Sequence, residues 1–462
     1  MAKRSQITKA THTLPMGPQQ RLGTVIRFAP KAGPSGVRQL ESGGFRVASS
    51  SDFRKAAAVP NNLDGADVQY FERFGIAIVR GNSDRLEPVL TQGVSSRTIG
   101  NSRPERSYTA LGWKSGALEQ SGTNAGLEPQ TAVAEAVEGL GNLGPDYLSG
   151  YRDGVNHLIE RLLSGSSEME AMRFAPRFDA SSVTWGLDAV KANLSGLSGA
   201  GIKVAVLDTG FDDTHHDFRG RSITKKLFAS LSSTGDVHGH GTHCIGTACG
   251  PLSPQTGPRY GIAYEADIFA GKVLGDDGFG TDRSIIAGME WALDEGCAII
   301  SMSLGAPTQI GDQANGDYEQ IGRVCLDAGT LVVAAAGNES RRPGRINPVG
   351  SPANASTIMA IASVDRALQI ASSSCGGLNP NQDVDLAAPG VDVLSSALGG
   401  GTTLMSGTSM ATPHVAGIAA LIAQSDPSFR GWALWARLTQ TVLRLNKPAR
   451  DVGKGLAQAP RQ

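Results

Sequence analysis

Val204-Ala-Val-Leu-Asp-Thr-Gly210 is an apolar run that ends in an aspartate and a glycine. Continuous apolar strands of this kind are buried on both faces, as in parallel sheets that are covered by helices. Further apolar runs of similar length follow it, and segments with helical periodicity separate them. The strands predicted from these runs are Ile202–Leu207, Ile268–Leu274, Ala298–Leu304, Thr330–Ala336 and Thr357–Ala362.

The intervening segments carry apolar residues at helical spacing. The predicted helices are Asp282–Glu295, Tyr318–Ala328, Ala411–Gln424 and Trp432–Leu445. Strands and helices in this order predict an α/β fold with a parallel sheet covered by helices on both faces. Active sites of such sheets lie at the carboxyl ends of the strands. Asp208 and Asn338 both follow a predicted strand and stand beside a glycine, so both are expected at that edge.

Two further motifs complete a candidate catalytic set. They are His238-Gly-His-Gly-Thr-His243 and Gly407-Thr-Ser-Met-Ala-Thr-Pro-His414. The first motif offers His240 as a base and the second offers Ser409 as a nucleophile. Asp208 of the apolar run supplies the acid. Serine is a weak nucleophile until a base removes its proton, histidine has a suitable pKa, and a carboxylate orients the imidazole. The small residues after Met410 predict a buried helix, with Ser409 at its N-terminus, where negative charge is favoured.

Each motif has an alternative interpretation. Asp-Thr-Gly is also the signature of aspartic proteases, but this chain has one copy, so that mechanism needs a dimer that uses Asp208. The histidine-rich motif suggests a metal site but lacks the helical His-Glu-x-x-His arrangement, and His243 is interpreted as a packed helix residue. The serine motif is close to the Gly-x-Ser-x-Gly elbow, whose fold needs Asp and His after the serine. The one histidine after Ser409 is His414, which is too close in sequence to be its base.

The order Asp208, His240, Ser409, together with the motifs around them, resembles the subtilisin-like serine proteases across roughly residues 183 to 457. This resemblance implies a serine endopeptidase that hydrolyses peptide bonds through an acyl-enzyme on Ser409. It also implies that Asn338, in Val-Val-Ala-Ala-Ala-Gly-Asn-Glu, donates to the oxyanion together with the Ser409 backbone N–H. Cys244 follows His243 as in the proteinase K branch. A catalytically silent subtilisin-like binding protein and the aspartic-type dimer remain as alternatives.

Two more segments match the substrate-binding stretches of the same family. Gly278-Phe279-Gly280 corresponds to the edge that pairs with an extended peptide, and Ser303-Leu304-Gly305 corresponds to the opposite side of the cleft and one wall of the main specificity pocket. Strand addition explains both, because backbone hydrogen bonds give affinity and pockets select side chains. The predicted partner is therefore a protein or peptide substrate, with Phe279 as an apolar wall. Ser351-Pro352 matches a cis peptide bond beside this cleft.

No cofactor is predicted to be required. Asp217 matches a calcium ligand of the family, but the loop that should complete the site, residues 250–261, contains neither a carboxylate nor an asparagine. Calcium is therefore only weakly supported, and no metal ligands are assigned. The five cysteines are odd in number and spread thinly. This distribution favours reduced, buried thiols over a disulfide framework or a zinc site.

The N-terminal part of the chain predicts a small α+β domain of the split βαβ kind. Its predicted elements are a strand at Leu22–Phe28, a strand at Phe74–Val79, a helix at Ser83–Leu90 and an extended stretch at Ser96–Ala110. The resemblance implies that this region is a propeptide that acts as an intramolecular inhibitor. The chain would then be a zymogen that cleaves itself somewhere between Ala110 and Trp185.

These expectations divide the chain into four parts. They are a flexible tail over 1–20, the propeptide-like domain over 21–112, a connector over 113–182 with a helical segment at Tyr147–Leu163, and the catalytic domain over 183–462.

A net charge of -1 and an apolar content of 40% give no reason to expect a nucleic-acid or membrane partner. No apolar stretch of signal-peptide length follows the basic N-terminal residues, so we expect a cytoplasmic protein, with export by a non-Sec route as an open alternative.

Overall fold

The computed structural model describes residues 22–53, 66–80, 84–114, 182–229 and 233–461. By its internal contacts the chain divides into two units, and the boundary falls between Arg106 and Ser107. Residues 107–112 therefore belong with the catalytic unit, whereas the sequence placed them in the domain predicted over 21–112. The predicted tail over 1–20 and the predicted connector helix Tyr147–Leu163 lie outside the described residues.

The first unit is built on a five-stranded sheet with the strand order β2-β3-β4-β1-β5. Strand β1 lies between β4 and β5 and is antiparallel to both. Ile26, Phe28 and Leu40 are buried in its core. Its elements are β1 (Thr24–Phe28), α1 (Gly33–Ser42), β2 (Val47–Ser49), α2 (Ser50–Phe53), β3 (Val68–Phe71), β4 (Ile76–Val79), α3 (Leu86–Ser95) and β5 (Ile99–Pro104). The α+β character matches the prediction, although helix α1 was not predicted, because it has few apolar residues.

The second unit is organised around a seven-stranded sheet with the order β16-β15-β14-β12-β8-β10-β9, and every pair in it is parallel. Two three-stranded sheets, β11-β6-β13 and β17-β18-β7, accompany it. The strands are β6 (Ser107–Ala110), β7 (Trp113–Lys114), β8 (Lys203–Asp208), β9 (Ile223–Leu227), β10 (Asp267–Lys272), β11 (Phe279–Thr281), β12 (Ile299–Met302), β13 (Leu304–Gly305), β14 (Leu331–Ala335), β15 (Met359–Val364), β16 (Leu386–Pro389), β17 (Val393–Ser396) and β18 (Thr402–Ser406).

Helices cover both faces of the parallel sheet. They are α4 (Trp185–Ala189), α5 (His240–Cys249), α6 (Asp282–Asp294), α7 (Gly316–Asp327), α8 (Thr408–Ser425), α9 (Gly431–Gln440) and α10 (Ala449–Val452). On β8, Val206 joins the cluster that contains Ile418 of α8, whereas Leu207 faces α6. A Cβ added to Gly288 of α6 would lie 3.3 Å from Leu207 Cδ2, so that helix packs closely on the opposite face. The predicted fold class is confirmed.

Helix α8 is the central buried helix of this unit. Every residue from Thr408 to Ala423 is buried, and its Ile418, Leu421 and Ile422 contribute to the main apolar core. Full burial of one such side chain stabilises the fold by roughly 1.5–3 kcal/mol, so these contacts anchor the helix in the core. Pro413 is the sixth residue of the helix and lies past its first turn. The Ser409 carbonyl oxygen, four residues earlier, accepts from Ser303 Oγ at 2.8 Å in place of the missing N–H.

Two further expectations concern the chain as a whole. The five cysteines are buried free thiols, as predicted. Among the residues that the structure describes, no helix combines the length and apolarity that a bilayer span requires. The localisation expected from the N-terminal residues stays a prediction.

Candidate active site

The predicted acid and base meet where a strand ends and a helix begins. Asp208 is the last residue of β8, and His240 is the first residue of α5. His240 Nδ1 lies 2.7 Å from Asp208 Oδ1, and both side chains are buried. The Thr209 backbone N–H donates to the same oxygen at 2.7 Å. The carboxylate therefore holds the proton on Nδ1 and leaves Nε2 free to act as a base.

The pKa of His240 reflects this pairing. Burial alone would lower the pKa of the imidazole, but the charge of Asp208 and its hydrogen bond raise that pKa well above the ordinary value. The protonated imidazole is thus stabilised. An arrangement of this kind suits a base that accepts a proton during a reaction.

Ser409 is the second residue of α8. Its Oγ donates to the Ser303 carbonyl oxygen at 2.9 Å, and His240 Nε2 has no hydrogen-bond partner. The expected contact between nucleophile and base is therefore not made in this conformation. A Cβ added to Gly112 would lie 2.9 Å from His240 Nε2, so the chain at Gly112 lies directly against the free nitrogen.

Asn338 follows strand β14 and aims its amide at a carbonyl group. Its Nδ2 donates to the Leu111 carbonyl oxygen at 2.5 Å. The Thr408 backbone N–H and hydroxyl donate to Asn338 Oδ1 at 2.9 and 3.0 Å, which fixes the orientation of the amide. The Ser409 backbone N–H donates to the same Leu111 oxygen at 3.3 Å. Two donors thus converge on one carbonyl, as an oxyanion hole requires.

The segment that carries this carbonyl runs between the two predicted substrate-binding edges. Strand β6 pairs antiparallel with β11 on one side and with β13 on the other. The Ala110 N–H donates to the Gly278 carbonyl and the Leu111 N–H to the Ser303 carbonyl, both at 3.1 Å. Beyond Gly112, β7 pairs antiparallel with β18. The chain itself therefore lies in the cleft in the extended form of a bound peptide.

Leu111 fills a pocket beside Gly305. Only 7% of Leu111 is exposed, and a Cβ added to Gly305 would lie 2.6 Å from Leu111 Cδ1. The absence of a side chain at Gly305 therefore makes room for the leucine. Phe279 is 55% exposed, and its role as an apolar wall stays a prediction. The Ser351–Pro352 bond is cis, as expected.

The last histidine of the motif, His243, is structural. His243 Nε2 lies 3.0 Å from the Val393 carbonyl, and burial lowers the pKa of His243 to about 3, so the neutral ring donates to that carbonyl. Among the described residues, one trio with metal-ligating groups converges: Asp208, His240 and Cys244. Because two of its members share a 2.7 Å hydrogen bond, the trio is the candidate catalytic pair with a thiol beneath it rather than a metal site.

The thiol of Cys244 lies one helical turn after His240. Its Sγ is 3.9 Å from His240 Nδ1 and 3.6 Å from the Ser409 carbonyl oxygen. Burial raises the pKa of the thiol, so the group is neutral and unreactive at ordinary pH. The likeness to the proteinase K branch stays a prediction.

The surroundings of Asp217 do not fit a calcium ion. Its Oδ1 accepts from the Gln255 N–H at 2.6 Å, and its Oδ2 accepts from Thr256 Oγ1 at 2.5 Å and from the Tyr260 hydroxyl at 2.8 Å. Burial opposes ionisation, but these three hydrogen bonds more than offset it and lower the pKa of Asp217. Protein donors thus take both oxygens that calcium would need.

Three parts of this site were not predicted from the sequence. Thr408 orients Asn338, the Ser303 carbonyl accepts from the Ser409 hydroxyl, and residues 107–114 occupy the cleft. Thr408 stands inside the quoted serine motif, so its position was visible although its role was not. The extended stretch predicted from the sequence ended at Ala110, one residue before Leu111, whose carbonyl oxygen accepts from Asn338 Nδ2.

The site combines three features: a buried acid–base pair at a strand end, a serine at a helix start, and two N–H donors on one carbonyl oxygen. Together they define the class of serine hydrolases that use a preorganised oxyanion hole. Residues 199–455 match the subtilase family. The chain belongs to that family.

Relatives and solved structures agree with this membership. The chain is 38% identical to "Subtilisin BL" of Lederbergia lenta over 283 residues, which are 61% of this chain and 98% of that protein. It is 37% identical to "Subtilisin E" of Bacillus subtilis (strain 168), over 60% of this chain and 70% of that protein. The solved structure of "Sphericase" is similar with a TM-score of 0.53 and 30% identity, and covers 61% of this chain and 100% of that one. The protein is a serine endopeptidase that acts on protein or peptide substrates.

Proposed function

We propose that the protein is a zymogen whose first substrate is its own Leu111–Gly112 bond. In this proposal Ser409 is the nucleophile, His240 the base, Asp208 the group that orients it, and Asn338 the oxyanion donor. One observation carries the proposal: the Leu111 carbonyl oxygen accepts from both Asn338 Nδ2 and the Ser409 N–H. The bond lies inside the window between Ala110 and Trp185 that the sequence suggested.

The proposed reaction starts with a rotation of Ser409 Oγ from the Ser303 carbonyl towards His240 Nε2. The hydroxyl gives its proton to Nε2 and attacks the Leu111 carbonyl carbon, and the oxyanion rests on Asn338 Nδ2 and the Ser409 N–H. The bond to the Gly112 nitrogen then breaks as His240 protonates that nitrogen. Water, deprotonated by His240, hydrolyses the resulting ester. It leaves a carboxylate on Leu111 and restores the serine hydroxyl.

The N-terminal product is also proposed to inhibit the enzyme. After cleavage, β6 keeps its backbone pairs with β11 and β13, since none of them involves the broken bond. Leu111 and Tyr108 stay buried in the cleft. The product therefore competes with any other peptide for the same edges. This supports the role of intramolecular inhibitor that the sequence suggested for the N-terminal region.

The two alternative functions have less support. An aspartic-type dimer needs two carboxylates that share a proton, whereas Asp208 accepts hydrogen bonds from His240 and Thr209. A silent binding protein has no need for a free imidazole nitrogen beside a serine. His240 Nε2 is buried without a hydrogen-bond partner, which favours a role in proton transfer.

Self-cleavage predicts two chains in place of one. In the purified wild-type protein we expect an N-terminal fragment that ends at Leu111 and a second chain that begins at Gly112, read by intact mass and N-terminal sequencing. Ser409→Ala should remain a single chain of full length. Ser425→Ala, at the far end of the same helix, is the matched control and should be cleaved normally, because its hydroxyl only bonds the Ile422 carbonyl.

Equal intact masses for wild type and Ser409→Ala would contradict self-cleavage. A cut that depends on Ser409 but lies elsewhere would contradict the assignment of the Leu111–Gly112 bond.

We also propose that Asp217 contributes to stability without calcium. Both test proteins carry Ser409→Ala, which prevents self-cleavage. EDTA should change the Tm of the protein that keeps Asp217 by the same amount as the Tm of the protein that also carries Asp217→Asn. Asp217→Ala should lower the free energy of unfolding by about 1–3 kcal/mol, because three donors lose their acceptor. The control is Asp213→Ala, an acid of the same loop that is 55% exposed and pairs only at the surface with Lys225, where the change should stay within about 0.5 kcal/mol. A calcium-dependent rise in Tm that Asp217→Asn abolishes would contradict the proposal.

A further inference from the structure

Tyr108 lies in the cleft as the fourth residue before the Leu111–Gly112 bond. It pairs with Gly280 of β11, so its backbone is fixed by the same strand addition as Leu111. The side chain is fully buried. Its ring meets the ring of Tyr318 edge to face, with centroids 5.9 Å apart and an interplanar angle of 75°. The structure therefore contains a closed aromatic subsite at this position.

A carboxylate lies at the end of this subsite. The Tyr108 hydroxyl donates to Asp282 Oδ1 at 3.0 Å, and Asp282 is fully buried. The Ser351 hydroxyl lies 3.5 Å from the same phenol oxygen. The subsite thus combines an apolar wall for the ring with an anionic acceptor for the hydroxyl.

Asp282 is held in place by its position in the chain. It is the first residue of α6, where the helix N-terminus stabilises a carboxylate. The turn before it is closed by a hydrogen bond from the Thr281 N–H to Ser284 Oγ at 3.1 Å. Helix α6 is buried along most of its length, so the acceptor cannot easily move to follow a different ligand.

The binding free energy of a peptide should differ between tyrosine and phenylalanine at this position. Both rings bury similar apolar area, but only the phenol donates a hydrogen bond. Hydrogen bonds to charged groups in buried sites are the strong ones, and a buried acceptor that loses its donor pays the desolvation penalty in full. Sites that are built to bond a hydroxyl group reject the analogue that lacks it.

We propose that this subsite selects tyrosine four residues before the scissile bond, and that Asp282 is the specificity-determining residue. The inference rests on the proposed function, because it takes Leu111–Gly112 as the bond that is cut. The substrates are then polypeptides in which tyrosine stands three residues before a leucine or similar apolar residue, as in Tyr108-Thr-Ala-Leu111.

Two matched chromogenic peptides test this selectivity. They are succinyl-Tyr-Thr-Ala-Leu-p-nitroanilide and its Phe-Thr-Ala-Leu counterpart, assayed with the purified wild-type protein. We expect kcat/KM to be about 10- to 100-fold higher for the tyrosine peptide. Asp282→Val should abolish the preference, so that the two peptides are hydrolysed with kcat/KM values within a few-fold of each other. Asp282→Asn, which keeps an uncharged acceptor, should show an intermediate ratio.

The control is Asp294→Asn, which removes one charge from the other end of the same helix and should keep the wild-type ratio. Equal kcat/KM for the two peptides in wild type overturns the selectivity but leaves the proposed function intact. Wild-type protein that has been freed of its N-terminal fragment and still hydrolyses neither peptide overturns the proposed function itself.

A second measurement covers the case in which Asp282→Val does not fold. Tyr108→Phe, placed in the full chain, should slow the appearance of the chain that begins at Gly112 by a factor similar to the peptide ratio. An unchanged rate of self-cleavage overturns the role of the hydroxyl bond.

Discussion

Ser409→Ala is expected to lower kcat for peptide hydrolysis by about 10⁶-fold, the size of loss measured when subtilisin loses its serine. The reason is that Ser409 carries the hydroxyl group next to the two donors on the Leu111 carbonyl oxygen, since its own backbone N–H is one of them and Asn338 Nδ2 is the other. His240→Ala should cause a similar loss, and the double variant should be no worse than either single one, because the two groups act as a unit. Initial rates with succinyl-Tyr-Thr-Ala-Leu-p-nitroanilide measure the loss of kcat in each variant.

Ser425→Ala is again the matched control and should keep the wild-type rate. Losses for Ser409→Ala and His240→Ala that multiply in the double variant would contradict a shared role. A loss of less than about tenfold for Ser409→Ala would contradict the assignment of the nucleophile.

Asn338→Ala is expected to lower kcat by about 10²–10³-fold and to leave KM nearly unchanged, as for the corresponding donor in subtilisin. A donor aimed at a developing negative charge acts mainly in the transition state, where the carbonyl oxygen carries more charge than in the bound peptide. The Asn338 amide is already oriented by Thr408, so no reorganisation is needed at the moment of reaction. Steady-state kinetics of the folded variant give the separation of kcat from KM.

Asn338→Asp is the informative companion, because it keeps the shape of the side chain but places an acceptor, with a negative charge, near the oxyanion. It should be at least as slow as Asn338→Ala. A raised KM with unchanged kcat in Asn338→Ala would contradict the assigned role and point to ground-state binding.

Much of the fold was predictable because its signals are local. The buried parallel strands are continuous apolar runs, and the five predicted ones coincide with observed strands to within a few residues. The quoted motifs were also found at strand ends and helix starts. Helix α8 begins at Thr408, three residues before the prediction, because Gly407, Thr408 and Ser409 carry little apolar signal. The polar strand β9 gives no such run and was missed.

The remaining features depend on contacts between distant parts of the chain. Tyr108 and Asp282 are 174 residues apart, and Asn338 and the Leu111 carbonyl are 227 apart. Nothing in the local pattern around either partner indicates that they meet. The donors to Asp217 come from residues 38 to 43 positions later, in a loop whose lack of carboxylates was visible but whose hydrogen bonds were not. Local patterns therefore indicated the triad residues but not which residues of the N-terminal region lie in the cleft.

The central claim is that Ser409 is a nucleophile activated by His240. Labelling of the purified wild-type protein with a fluorophosphonate probe tests it most directly, with the modified residue located by peptide mass spectrometry. We expect one adduct per chain on Ser409, no adduct in Ser409→Ala and strongly slowed labelling in His240→Ala. Folded wild-type protein that has been freed of its N-terminal fragment and stays unlabelled, or labelling that is equally fast without His240, would contradict the claim.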